Sequence, residues 1–292
     1  MAKTRIGIAK PDIVRFFDEH PQKVFDLYGI QRILDENRVF WRLAKSMSYS
    51  DFVNYLVAKT KLRKDVFNFS YRPIVRYVWG DVPLYGLLLS LKPNSYFTHY
   101  TAVHFHDLTE QTPKTIYMNV EQERKPRPKG ALIQERIDAA FKRPTRLSNN
   151  VAEYQGRTIR MLNGMHTGNL GVIEMSGPDG EKLQITDVER TLIDITVRPE
   201  YAGGVHEVLK AYRLARDKVS VNRLVATLKK INYVYPYHQA VGFYLEKAGV
   251  YLRSQLDLVR RFEMKYNFYL MHQMKDYEYS PQWRLYYPKG FG

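Results

Sequence analysis

Along the first eighty residues, apolar positions recur at helical spacing in three successive runs and then at strand spacing. Ile13, Val14, Phe16 and Phe17 form one apolar face up to His20 and Pro21, with Pro11 at the predicted start of a first helix. Asp26 stands as an N-cap before "LYGIQRILDENRVFW", where Ile30, Leu34 and Phe40 or Trp41 continue an apolar stripe. This predicts a second helix, broken near Asn37. Ser48 or Ser50 caps a third, "DFVNYLVAKTKL", in which Phe52, Val53, Leu56 and Val57 face one way and Asn54, Tyr55 and Lys59 mostly the other. The period then falls to two: "KDVFNF", a turn at "SYRP" and "IVRYVWG" read as a hairpin.

Three helices followed by a two-stranded hairpin is the order of a winged helix-turn-helix domain, whose third helix enters the DNA major groove. Residues 1–80 are assigned to this domain. Residues 81–292 are assigned to a larger C-terminal α/β domain, which makes the chain α+β. In the second part "GRTIRML" and "LGVIEM" read as strands, and Thr186 to Glu189 has capping-box spacing ahead of "RTLIDI". Gly203 and Gly204 precede "VHEVLKAYRLAR", Ser220 opens "VNRLVATLKKI", and Pro236 opens "YHQAVGFYLEKAG". The tail "FYLMHQ…QWRLYYP" reads as one or two final strands. "VEQERKPRPKG" reads as an exposed loop.

Charge sharpens the first reading. The chain has 45 Lys and Arg against 30 Asp and Glu, a formal charge of +15, so polyanions attract it. From Arg38 to Arg76 there are nine Lys or Arg and two acids, so nearly half of that excess lies in the stretch expected to face phosphates. A solvated basic surface on a protein–protein adaptor is the alternative use of the same residues. The absence of cysteine removes disulfides, thiol nucleophiles, zinc fingers and iron–sulfur clusters, and fits a reducing cytoplasm. The N-terminus has no apolar core of a secretory signal, and "VPLYGLLLSL" is about half a membrane span. A cytoplasmic protein with no membrane partner is expected.

Candidate chemistry is sparse. His99 and His106 lie seven residues apart, too far for the i, i+4 pair of helical zinc sites, and His104 and His106 point about opposite ways on a helix. A helix beginning near Ser95 or Thr98, with Tyr100, Val103 and Leu108 toward a core, is the better reading. Asp187, Glu189 and Asp194 suggest a metal-dependent nuclease, but the capping box accounts for Glu189 and the rest of a nuclease constellation is missing. "NGMHTGNLGV" lacks the Gly-Lys-Ser/Thr of a phosphate loop and reads as a turn. No metal, cofactor or catalytic residue is assigned. A second basic cluster, Arg124, Lys125, Arg127 and Lys129 with Arg136, Lys142, Arg143 and Arg146, is a further surface for nucleic acid or an acidic partner.

The segments "SYFTHYTAVHFHDLTEQTPKTIYMNVEQ", "GNLGVIEM", "TDVERTLIDITVRPEYAGGVHEVLKAY" and "YPYHQAVGFYLEKAG", in that order, resemble the AbiEi-type antitoxins, which are also described as transcriptional regulators of viral defence systems. The resemblance covers most of residues 90 to 250; the tail beyond Leu252 falls on no motif common to the family. It implies the antitoxin of a type IV toxin–antitoxin pair. Such an antitoxin counters a nucleotidyltransferase-like toxin without a stable complex and represses its own operon through inverted repeats in the promoter.

In that reading Tyr49, Ser50, Asn54 and Tyr55 stand near base edges, Asn54 being suited to bidentate adenine contact. Arg42, Lys59, Lys61, Arg72 and Arg76 hold phosphates. Two alternatives stay open: a metal-dependent nucleic-acid enzyme using Glu189 and Asp194, and a winged-helix adaptor that inhibits a toxin by direct contact.

Overall fold

A computed structural model describes residues 4–126 and 130–291. The chain is α+β and divides into two compact units: residues 1–93 with 176–182, and residues 94–175 with 183–292. The division falls at Pro93, not at residue 80, because the short helix after the hairpin belongs to the first unit.

The first unit runs α1 (Arg5–Glu19), β1 (Val24–Phe25), α2 (Leu27–Asn37), α3 (Tyr49–Lys59), β2 (Leu62–Asn68), β3 (Pro73–Trp79) and α4 (Leu84–Leu89). Its sheet has the order β1-β3-β2, all antiparallel. This is the winged-helix arrangement, completed by a two-residue β1 too short to leave a period in the sequence. The β2–β3 register runs from Leu62 opposite Trp79 to Asn68 opposite Pro73, which puts Tyr71 and Arg72 at the wing tip. Asp26 and Ser48 cap α2 and α3 as expected, accepting from the backbone N–H of Gly29 and Asp51.

Helix α1 starts earlier than the sequence reading placed it. Thr4 is its N-cap and Pro11 lies inside it. An interior proline costs a helix about 3 kcal/mol. Here Ile6, Ala9, Ile13 and Phe17 form a continuous buried face on both sides of an exposed Pro11, and that burial outweighs the lost hydrogen bond. The same core takes Phe25, Ile30, Leu34, Trp41, Phe52, Leu56 and Trp79.

The second unit holds a six-stranded mixed sheet. Its strands are β4 (Tyr96–Phe97), β5 (Thr115–Asn119), β6 (Val151–Tyr154), β7 (Arg157–Leu162), β8 (Val172–Ser176) and β9 (Lys182–Thr186), in the order β6-β7-β5-β4-β9-β8. β4 runs parallel to β9, and β5 parallel to β7. The helices are α5 (His99–Phe105), α6 (Gln134–Phe141), α7 (Val188–Val197), α8 (Val205–Leu214), α9 (Val221–Ile231), α10 (Tyr237–Ala248) and α11 (Arg253–Arg260). The tail forms a separate small sheet from β10 (Phe268–Tyr269), β11 (Tyr277–Ser280) and β12 (Leu285–Pro288), where one or two strands were expected.

Helix α7 is central to this unit. Every residue from Glu189 to Thr196 is buried, so the helix has no solvent face and must satisfy its own charged groups. Its N-cap is Asp187, which accepts from Arg190 N–H, and not Thr186. Glu189 is no capping-box residue either: it accepts from the Ser220 backbone N–H at 2.8 Å and pairs with Arg223 at 3.1 Å, tying α7 to the start of α9.

Candidate nucleic-acid interface and a basic cavity

On α3 the buried positions are Phe52, Val53 and Leu56, whereas Val57, expected on the same face, is exposed together with Ser50, Asn54 and Ala58. The exposed set repeats at i, i+4, i+7 and i+8, one continuous face. The Asn54 amide nitrogen reaches only the Ser50 hydroxyl, at 3.4 Å, so the pair offers its polar groups to solvent. Arg42 is exposed in the turn before α3, with a left-handed backbone (φ 51°), Lys59 is exposed in the last turn of α3, and Arg72 is exposed at the wing tip.

Four of the residues expected at the interface have other work in the fold. Arg76 is half-buried, and its guanidinium donates to the backbone carbonyls of Ser90 (2.7 and 3.1 Å) and Leu91 (3.0 Å), closing the C-terminal end of α4. Lys61 pairs with Asp18 on α1 at 3.0 Å, and the Trp79 indole donates to the same carboxylate at 2.7 Å. Those two donors, Trp79 before Lys61, hold Asp18 below the usual carboxylate range. Tyr49 donates its hydroxyl to Asp35 of α2 at 2.9 Å. Tyr55 leans on the core, near Gly7 of α1. The α2–α3 turn is held by a residue the sequence offered only as charge: Arg38 donates to the carbonyls of Ala44 and Met47.

In the second unit, an open cavity of about 1090 Å³ is lined by Arg124, Lys125 and Arg146 from the second basic cluster, and by His99, Arg190 and Arg198. Lys142 and Arg143 are exposed at the end of α6 and do not line it. Arg136 also lies outside the lining, and Arg127 and Lys129 lie outside the described residues.

A buried network forms one side of the cavity. Arg190 Nε donates to Asp194 at 2.7 Å with both side chains buried, and Arg190 Nη1 donates to the Thr167 hydroxyl (3.0 Å) and the Leu170 carbonyl (2.8 Å). Burial works against the Arg190 charge, but the adjacent Asp194 carboxylate outweighs it and keeps the guanidinium firmly protonated. Glutamate and aspartate of the metal-enzyme reading are thus each taken by an arginine, Glu189 by Arg223 and Asp194 by Arg190. Among the described residues no group of three His, Cys, Asp or Glu is placed to hold a metal ion.

The glycine-rich stretch after β7 proves to be more than a turn. It wraps a carboxylate of the chain itself: Glu121 accepts from the backbone N–H of Thr167 (2.7 Å), Gly168 (2.8 Å) and Asn169 (3.3 Å), and from the Thr167 hydroxyl. Successive backbone N–H groups form an anion nest. Burial raises the Glu121 pKa, but these bonds and the Arg190 charge overcome it and leave it below the ordinary value.

His99 is the first residue of α5 and sits at φ 50°, a left-handed conformation that costs a residue with a side chain about 1–3 kcal/mol. The Thr98 hydroxyl donates its one hydrogen to Asp194 (3.0 Å), so at its 3.1 Å contact with His99 Nδ1 it must accept. The ring is therefore the Nδ1–H tautomer, with Nε2 as an acceptor. Burial, joined by the charges of Arg190 and Arg198 and opposed by Asp194, pushes its pKa down to about 4.

A depressed histidine destabilises the fold in acid. Between pH 6.5 and about 4 the unfolded chain takes up a proton that folded His99 refuses, so stability contributed above pH 6.5 is lost as pH falls through that window. The loss from this residue is roughly 3 kcal/mol. Urea melts at pH 7 and pH 4 check it: the wild type is expected to lose more than a His99→Gln variant by about this amount.

No protein-family model matches the chain, and no curated protein matches it significantly. Among solved structures, the Rv2827c protein from Mycobacterium tuberculosis is similar in fold, with a TM-score of 0.60 at 11% sequence identity over 96% of this chain and 91% of that one. Among the described residues no helix is long and apolar enough to cross a membrane.

Proposed function

We propose that the protein is a DNA-binding regulator whose winged helix reads its own promoter, and that it serves as the antitoxin of a type IV toxin–antitoxin pair. The observation that carries the first part is the α3 face of Ser50, Asn54, Val57 and Ala58, held outward by the burial of Phe52, Val53 and Leu56. In this reading α3 lies in the major groove, with Ser50 and Asn54 at base edges. Arg42, Lys59 and Arg72 hold phosphates. Arg76 and Lys61, expected among the phosphate contacts, are replaced in that role by exposed Lys64, on the outward face of β2 with Val66 and Asn68.

The antitoxin role rests on the resemblance of residues 90 to 250 to AbiEi-type antitoxins, and with it the nucleotidyltransferase-like toxin and the absence of a stable complex. The metal-enzyme alternative loses support because its two carboxylates are each engaged by an arginine.

Substitutions separate the two kinds of contact. Asn54→Ala is expected to cost about 1–3 kcal/mol on the cognate promoter and to relax discrimination at one base position. Arg72→Ala is expected to weaken all duplexes alike and to lower the slope of log affinity against log salt by about 1. Equilibrium titrations at several salt concentrations read both. Co-expression with a nucleotidyltransferase-like toxin, scored for growth rescue, tests the antitoxin role.

A further inference from the structure

The cavity of the second unit holds charge that the chain does not neutralise. Of its lining cations, Arg190 is consumed by Asp194. Arg198, half-buried where α7 ends, makes no side-chain hydrogen bond or ion pair with any described residue, although its charge reaches His99. Arg124, Lys125 and Arg146 are exposed and likewise without an ionic partner among the described residues. Apart from the paired Asp194, the lining carboxylate is the exposed Glu123. Four free cations against one carboxylate favour a ligand with about two to three negative charges.

The rest of the lining describes the remainder of that ligand. Leu147, Met165 and Val234 are 48%, 45% and 56% exposed, so three large apolar side chains stand uncovered around one opening, and Tyr233 adds an aromatic ring. His99 presents Nε2 as an acceptor with no described partner, its Nδ1–H being committed to Thr98. That acceptor needs a hydroxyl or amine hydrogen. A volume of about 1090 Å³ is at the upper end for a small-molecule site.

We propose that this cavity binds a nucleotide, with its phosphates on Arg198, Arg146 and Lys125, its base against Tyr233 and the apolar rim, and a hydroxyl or amine hydrogen donated to His99. A 5′-phosphorylated end of a single strand presents the same chemistry. The proposal does not rest on the winged-helix reading, because every residue it uses lies in the second unit, and it is tested without duplex DNA.

The test is isothermal titration of the full chain with adenosine diphosphate, adenosine, and a short single strand carrying either a 5′-phosphate or a 5′-hydroxyl. The phosphorylated probes are expected to bind at least about tenfold more tightly than their unphosphorylated partners. Arg198→Gln is expected to remove about tenfold or more of that affinity, with its thermal melt checked by circular dichroism. Arg146→Gln, at an exposed position, gives the same reading should Arg198→Gln fold poorly. Tighter binding of the diphosphate identifies a free nucleotide as the ligand, and tighter binding of the phosphorylated strand identifies a strand end. Equal binding of adenosine and its diphosphate, no binding of any probe at roughly 10 mM, or wild-type affinity in the folded variants overturns the proposal.

Discussion

Replacing Asp194 by Ala is expected to destabilise the second unit by about 3–5 kcal/mol, because it strands the Arg190 guanidinium in the interior without its counter-charge. Both side chains are buried, only 6% and 7% exposed, although they form part of the cavity wall, so the guanidinium left behind stays largely desolvated. Thr98 would lose the acceptor of its hydroxyl at the same time, and with it the restraint on the His99 tautomer. The double replacement Arg190→Met with Asp194→Leu is expected to recover most of the loss, since a buried pair exchanged whole for apolar groups is often neutral. Urea denaturation followed by far-UV circular dichroism reads both. If the single Asp194→Ala chain melted like wild type, the pair would be solvated and the buried network described above would be wrong.

The second large effect belongs to the tail. Trp283→Ala is expected to cost about 3–5 kcal/mol, the usual price of deleting a fully buried indole. Trp283 lies against α10 at Gly242: a Cβ built there would sit 2.1 Å from the indole Cζ3 and 2.4 Å from Cε3. The indole N–H donates to Glu246 one turn further along α10, at 2.9 Å. Gln239, one turn earlier, donates to the carbonyls of Tyr266, Trp283 and Arg284. Gly242→Ala alone is therefore expected to cost about 1–3 kcal/mol by overpacking. In a Trp283→Ala background the same methyl group enters vacated space, so the two losses fall short of additivity. Additive losses in the double-mutant cycle would contradict this contact.

These two sites mark where the sequence could be read and where it could not. The winged helix was legible because each device there is local. Asp26 and Ser48 cap helices they precede, and "KDVFNF" to "IVRYVWG" alternates at period two on one turn. The exception is also physical: a proline favours a first turn and so points to Pro11 as a start, but tertiary burial of Ile6 and Ala9 carries the helix through it.

The interface residues were read from charge and helical position, which do not distinguish Arg72, exposed at the wing tip, from Arg76, which closes α4 from four positions further along the same hairpin. In the second unit, amphipathic templates miss a helix that is buried all round, so only the apolar residues of α7 mark it, and of its charged ones Glu189 alone reads as part of a capping box. The sign that was present is Arg190 and Asp194 at i, i+4 within "ERTLIDI", a spacing at which a buried pair can neutralise itself. The cavity draws His99, Arg124, Arg146, Arg190, Arg198 and Tyr233 from distant parts of the chain, and no local pattern announces such a convergence. For the tail, Gly242 and Trp283 become a contact only once α10 and the strand order of the last sheet are known.

Fluorescence anisotropy decides whether the winged helix reads a specific duplex. The wild-type chain is titrated onto a labelled duplex taken from just upstream of its own gene, at rising salt, with an unrelated duplex as competitor. Tight binding to the upstream duplex, surviving excess competitor and moderate salt, is the expected result. Weak binding, equal on both duplexes and abolished by moderate salt, would contradict it and leave the exposed face of α3 to another partner.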